Sequence, residues 1–145
     1  MFFSFDGTDG VGKSTQIELF KNWLMDNGHE VVLCRDPGSS LLGERLRDLL
    51  LDKHDINIAR RSEMFLYMTA RTQLVEEVIK PALASGKTVI CDRYLLANIV
   101  YQGHAGGLDS EVIRQVGAVA TDGISPDLTI PVSYTHLTLP TNREV

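Results

Sequence analysis

The sequence predicts an α/β domain with a mostly parallel sheet. Three observations lead there. Short apolar runs of strand character alternate with longer segments of helical spacing. A glycine-rich turn, Gly7–Ser14, separates the first apolar run from the first helix. The polar pairs Asp6-Gly7, Arg35-Asp36 and Asp92-Arg93 close three of the strand segments. Right-handed crossovers bring the C-terminal ends of such strands to one sheet edge, where ligands bind.

Taken in order, Phe2–Asp6 reads as a buried strand ending at the glycine-rich turn. Lys13–Asn27 has Ile17, Phe20 and Leu24 on one helical face, and Asn27-Gly28 stops it. Glu30–Arg35 carries Val-Val-Leu-Cys, a second buried strand closed by Pro37-Gly38. Leu41–Leu51 is a second helix. Ala59–Ser85 is a long helical stretch that Pro81 kinks or splits before Gly86 ends it. Thr88–Asp92 is a third strand. Tyr94–Gln102 is helical, and Gly103, Gly106 and Gly107 form a loose loop. Asp109 caps a helix running to about Thr121, with Val112, Ile113, Val116 and Val119–Ala120 inward. Asp127–Ile130 begins a fourth strand.

The chain has 145 residues, which suits one core rather than two. Apolar residues make up 43% and charged residues 23%, so a folded globular chain is expected. Fourteen Lys and Arg stand against nineteen Asp and Glu, a net charge of −5. That balance argues against a nucleic-acid binder, which needs a basic face, but leaves room for a small anionic substrate. No apolar run is long enough for a membrane span, and MFFSFDG lacks a signal peptide's basic start. Cys34 and Cys91 form no C-x-x-C, and His29, His54, His104 and His136 have no metal-ligand spacing. A reducing, cytoplasmic setting is the expectation.

The C-terminal stretch Val132–Val145, VSYTHLTLPTNREV, has no helix or strand period, and Pro140 breaks it. It resembles the in-frame translation of a transposase sequencing adapter. We therefore expect native sequence to end near Ile130 or Pro131, with 132–145 a non-native read-through tail. The folded unit is then 1–131, the N-terminal part of a larger domain.

Gly7-Thr8-Asp9-Gly10-Val11-Gly12-Lys13-Ser14 fits G-x-x-x-x-G-K-[ST] between a strand and a helix. The glycines let backbone N–H groups turn toward an anion, and the helix start adds its positive dipole end. Lys13 reaches the β- and γ-phosphates of a nucleoside triphosphate, and Ser14 offers its hydroxyl to Mg²⁺. The loop with Thr15 is therefore the expected ATP site.

Four motifs in order then resemble the thymidylate kinases, the nucleotide-kinase branch of P-loop proteins. FDGTDGVGKST at 5–15 is similar to the family's phosphate loop, with Asp9 as its internal acid. RDPGSSLLGERLRDLLL at 35–51 resembles its R-E-P-G-G-T-x-x-G-E-x-I-R segment. ARTQLVEEVIKPAL at 70–83 resembles its long helix, and DRYLLANIVYQGHAGGLD at 92–109 its D-R-Y…Y-Q-G motif. The resemblance implies a P-loop nucleoside triphosphate hydrolase-like three-layer fold with a parallel sheet, its C-terminal part missing here. It implies γ-phosphate transfer from ATP to dTMP, with Mg²⁺, in a homodimer. The alternatives are another P-loop nucleotide kinase, or a non-catalytic ATP-binding fragment.

Residue roles follow from the same resemblance. Tyr67 holds the aromatic position that stacks on thymine, and Arg71 the arginine that contacts the base. Asn98, Tyr101 and Gln102 hold base and sugar contacts. Arg93 grips the acceptor phosphate, Arg35 lies near it, and Asp9 contacts the sugar and the metal shell. Lys13, Asp9 and Arg93 are thus the expected catalytic residues. The residues themselves leave alternatives. Tyr67 and Arg71 share a helix face at i,i+4, which also suits a core tyrosine beside a solvated arginine. Asn98, Tyr101 and Gln102 share a face that also suits plain helix surface. Asp92 ends a strand like a magnesium-binding carboxylate, and with Arg93 it equally suits a buried salt bridge.

The chain departs from the family pattern at Asp36 for Glu, Ser39-Ser40 for Gly-Thr, and Leu96-Ala97 for a polar pair. Gly10 stands where some members carry an arginine. The similar bacterial type supplies its basic residues from a lid beyond the fourth strand, so we expect lid arginines in the intact gene and very weak turnover without them. Cys34 and Cys91 are close if their strands are neighbours. The readings there are two buried core thiols or a disulfide.

Overall fold

The computed structural model describes residues 1–52, 56–105 and 107–133, and the side chains of Tyr101, His104 and Ala105 lie outside that description. His54, Gly106, His136 and positions 134–145 also fall outside it.

Four strands form one sheet: β1 (Phe2–Asp6), β2 (Val31–Arg35), β3 (Thr88–Asp92) and β4 (Leu128–Pro131). Their order is β2-β3-β1-β4, and every pairing is parallel. Parallel neighbours need crossovers, and the intervening helices supply them. These are α1 (Lys13–Asp26), α2 (Leu41–Leu51), α3 (Arg60–Leu74), α4 (Lys80–Ala84), α5 (Leu95–Asn98) and α6 (Ser110–Thr121).

The strands are apolar on both sides because both sides are covered. Phe5 and Ile90 pack with Ile17 and Leu24 of α1 on one face. Phe2, Val89 and Cys91 pack with Leu74 of α3 and Ala82 of α4 on the other. Met64, Met68, Ile99, Ile113 and Ala120 join α3 to α6 in a further cluster. The result is the expected three-layer α/β arrangement. Ser40 caps α2, its hydroxyl accepting from the Gly43 N–H at 2.9 Å. Asp109 caps α6 through the Glu111 N–H, as expected.

Three local expectations are refined. Val112 and Val119 do not face inward on α6: they are 47% and 83% exposed, while Ile113, Gly117 and Ala120 lie on its buried face. The long helix is interrupted just ahead of Pro81 and is not ended by it. A π-helical turn, Val75–Ile79, joins α3 to α4 ahead of it, and the Lys80 N–H donates to Val75 O. Proline has no N–H and crowds the carbonyl four residues back, and the wider turn accommodates both. Gly103 does not begin a loop. It lies in a second π-helical segment, Ile99–Ala105, that continues α5. The chain leaves that segment when Gly107 N–H donates to Gly103 O at 2.9 Å and Leu108 N–H to Gln102 O at 3.0 Å. A lone glycine is a weak helix breaker when packing holds the turn.

The register sets Cys34 directly opposite Cys91 on β2 and β3. Both are free thiols, and both are buried. The sheet edge formed by Asp6, Arg35, Asp92 and the residues after them is the one predicted to bind ligands.

Candidate active site

The phosphate loop runs from the end of β1 to the start of α1. Gly10 and Gly12 have φ of 79° and 86°, left-handed values that glycine adopts without penalty. Gly7 lies close to the chain after β4: a Cβ there would meet the backbone carbonyl oxygen of Val132, the first residue of the segment expected to be non-native, at 2.4 Å. Thr8, Asp9, Ser14 and Thr15 are exposed around the loop, while Val11 anchors it in the core. Lys13 is buried, and its ammonium pairs with Asp92 at the end of β3. Ser14 and Asp92 line one open cleft of about 370 Å³.

A second cleft, of about 260 Å³, opens on the same edge. Asp9, Arg93, Tyr67, Arg71, Asn98 and Gln102, all named from the sequence, line it together. Arg93 has φ of 70°, a left-handed backbone unusual for a side-chain residue. Its guanidinium donates to Asp9 Oδ1 at 2.6 Å, which ties the phosphate loop to the end of β3. Strain of this kind is held where a site fixes a side chain.

Arg71 is 1% exposed, and the groups around it account for that. Its Nε donates to Asp36 Oδ2 and its Nη2 to Asn98 Oδ1, while Met68 Sδ lies 3.3 Å from Nη1. Its guanidinium carbon lies 5.4 Å from the centre of the Tyr94 ring. Asn98 Nδ2 in turn donates to Gln102 Oε1 at 2.8 Å. The reading of a core tyrosine beside a solvated arginine is thus inverted: the arginine is buried and Tyr67 is half-buried. Asn98 and Gln102 are buried members of this chain and not plain helix surface. Tyr101 belongs to the same helix, with its side chain outside the described residues. Arg35 does not join this cleft. It lines the one with Ser14 and Asp92, and its guanidinium donates to Glu44 Oε2 at 2.6 Å.

Burial dominates the ionisation of the site. It pushes the Asp6 carboxyl up to about 6, against the lowering pull of Arg93, Lys13 and Arg71. Asp36 is also raised by burial, with Arg71 opposing. Burial raises the Tyr67 hydroxyl, and Glu63 adds to it. Glu44 is lowered by its hydrogen bonds from Arg35 and the Ser39 N–H. Ser14 and Asp92 fit a hard cation that takes its other ligands from phosphate and water. Among the described residues no cluster of three or more acidic, histidine or cysteine side chains could hold a metal by itself.

Sequence reasoning missed Arg47, Pro37 and Leu51 in the second cleft. Arg47 reaches back from α2 to donate to Pro37 O at 3.0 Å. The signal for it was its place on the helix that follows the Asp36–Pro37 turn, one helical span from Arg71's partner.

An anion loop and a buried arginine relay side by side on one parallel sheet edge are a specific combination, and known proteins share it in sequence and shape. The thymidylate kinase family model matches residues 5–137. A thymidylate kinase of Desulfovibrio desulfuricans is 48% identical over 130 residues, which is 90% of this chain and 60% of that protein. One from Thermoanaerobacter sp. (strain X514) is 46% identical over 134 residues, 92% of this chain and 66% of its own. The crystal structure of thymidylate kinase from Ehrlichia chaffeensis superposes with a TM-score of 0.84 at 36% identity, covering 92% of this chain and 74% of that one. The chain thus spans about 60% of the length of the Desulfovibrio protein. With its fold, its phosphate loop and residues 5–137 matched in this way, the chain belongs to the thymidylate kinase family.

Proposed function

We propose that this chain carries the ATP loop and the acceptor cleft of an enzyme that moves the γ-phosphate of ATP to dTMP, giving dTDP and ADP. The observation that supports it best is the acceptor cleft, where Arg93 and Asp9 stand with Tyr67, Arg71, Asn98 and Gln102 around one space. A half-buried aromatic ring suits stacking on a base, and a guanidinium suits a carbonyl acceptor on it. Arg93 suits the acceptor phosphate and Lys13 the donor phosphates.

Both cations rest on carboxylates in the structure, Lys13 on Asp92 and Arg93 on Asp9. Phosphates would exchange with those carboxylates, so each arriving anion replaces another and no cation is left bare. Transfer is in line and needs no covalent enzyme intermediate. The protein contributes position and charge. Mg²⁺ held by Ser14 and Asp92 would add charge neutralisation on the donor phosphates.

The exposed Leu41 and Leu42 of α2 and Phe65 of α3 support a homodimer. Calorimetric titration with dTMP, dCMP and dAMP, with and without ATP, tests the reading. Preferential binding of dTMP beside ATP is expected. Tighter binding of dAMP, or ATP binding with no acceptor binding at all, would overturn it.

A further inference from the structure

Asp6 closes β1, an interior strand, on the edge that bears both clefts. It is 8% exposed, and neither carboxyl oxygen has a hydrogen-bond partner among the described residues. Its neighbours differ. Asp9 holds Arg93, Asp36 holds Arg71, and Asp92 holds Lys13. Charged groups act on Asp6 from four elements: Arg93 after β3, Lys13 at the start of α1, Arg71 on α3 and Asp36 after β2.

A buried carboxyl without a donor destabilises a fold, and where one persists it needs a reason. The ion pairs around it supply one. Lys13, Arg71 and Arg93 each already have a carboxylate partner, in Asp92, Asp36 and Asp9, so Asp6 is not needed to hold any of the three in place. It is a negative charge with no hydrogen bond of its own, next to Lys13 and Arg93, the two groups proposed to meet phosphate. It makes no contact that an incoming ligand would break, so its effect on a ligand is that of a fixed charge. Such a charge opposes every phosphate that enters and leaves an uncharged ligand nearly unaffected.

We propose that Asp6 is an affinity-setting residue: an unpaired buried carboxyl beside Lys13 and Arg93 that weakens the hold on nucleotide phosphates. The proposal rests on the kinase reading above and deepens it. It also accounts for an acid at a position where stability alone would favour an amide.

The test compares the full 145-residue chain with its Asp6→Asn variant, which keeps the shape and removes the charge. Calorimetry at pH 8 without magnesium would use dTMP and thymidine as the two probes. The variant should bind dTMP about tenfold more tightly or better, as one charge removed near a dianion implies. Thymidine, which lacks the phosphate, should change less than twofold. The dTMP gain should shrink as the pH falls below 6, where Asp6 takes up its proton in the wild type, and the thymidine control separates this from the stability change that follows the same proton. Unchanged or weaker dTMP binding in the variant overturns the proposal, and so does an equal gain for thymidine. If the wild-type chain binds ATP but not dTMP, the acceptor reading fails alone, and ATP against adenosine decides Asp6. A chain that binds none of these overturns both.

Discussion

Single side chains at this site are set by burial before they are set by chemistry. Asp6 shows the consequence for stability. Its folded carboxyl titrates near 6, against 3.8 when unperturbed. Between those values the folded chain holds a proton that the unfolded chain has lost, so stability falls as the pH rises through that window. The loss is complete by pH 7 and is about 2 kcal/mol once screening by solvent in the open clefts is allowed for. Asp6→Asn should therefore be more stable than the wild type by that amount at pH 7 to 8, and equal to it below about pH 4. Urea melts at the two pH values measure this. Arg71 is the opposite case, a buried charge with every partner in place. Arg71→Ala strands Asp36, which is 3% exposed, and should cost about 3–5 kcal/mol. Arg71→Lys restores the charge without the planar fork and should recover only part of it. The cysteines were legible as a pair only through their strands. The register places them face to face, and burial pushes the Cys91 thiol well up, so thiolate is scarce. A thiol reagent should find almost none in the native chain and two in denaturant; rapid native labelling would contradict the packing described.

At the scale of elements, the departures from the family pattern become intelligible. Ser40, standing where the family has Thr, still caps α2 with a hydroxyl. Ser39, standing where the family has Gly, takes φ of 60° and is strained there. In return its hydroxyl accepts the Arg35 N–H at 2.9 Å, and its own N–H donates to Glu44 Oε1 at 2.6 Å. Ser40→Ala should then cost about 1 kcal/mol in a denaturation midpoint, from a single lost cap. Strands and helices could be read from the sequence because apolar period and punctuation are local signals. The π-helical turns could not. They answer to Pro81 in one case and to packing under α6 in the other, and neither is visible in a window of neighbouring residues. Arg47 is different: it lies in the 35–51 motif quoted from the sequence, but only the α2–α3 contact brings it to the cleft. Arg35 shows the converse: a motif position can be read correctly in the sequence while Glu44 draws its side chain to the neighbouring cleft.

Across the whole molecule, the site is where the separate parts of the fold meet. The cleft lined by Tyr67 and Arg71 takes Asp9 from the phosphate loop, Asp36 from the end of β2, and Arg93 from the end of β3. Arg47 comes from α2, Tyr67 and Arg71 from α3, and Asn98 and Gln102 from the α5 region. The sheet is thereby tied by side chains at one edge, and one of the ties, Arg93–Asp9, is an ionic pair whose cation a phosphate ligand would take over. The sequence revealed that edge through three polar strand ends, but not how tightly the elements depend on one another there. A ligand seated in the cleft bridges all of them, so its binding energy should add to global stability rather than to one local segment. At a hundred times its dissociation constant, a ligand adds about 2.7 kcal/mol. For a chain near this size that corresponds to a rise in Tm of about 5–11 °C. Calorimetric melting with dTMP should show that shift as one undivided transition. Arg93→Ala should abolish most of it at the same concentration, each shift being read against that variant's own unliganded Tm. A ligand effect confined to a minor early transition would mean that the cleft belongs to one half of the sheet, and that the edge does not act as a unit.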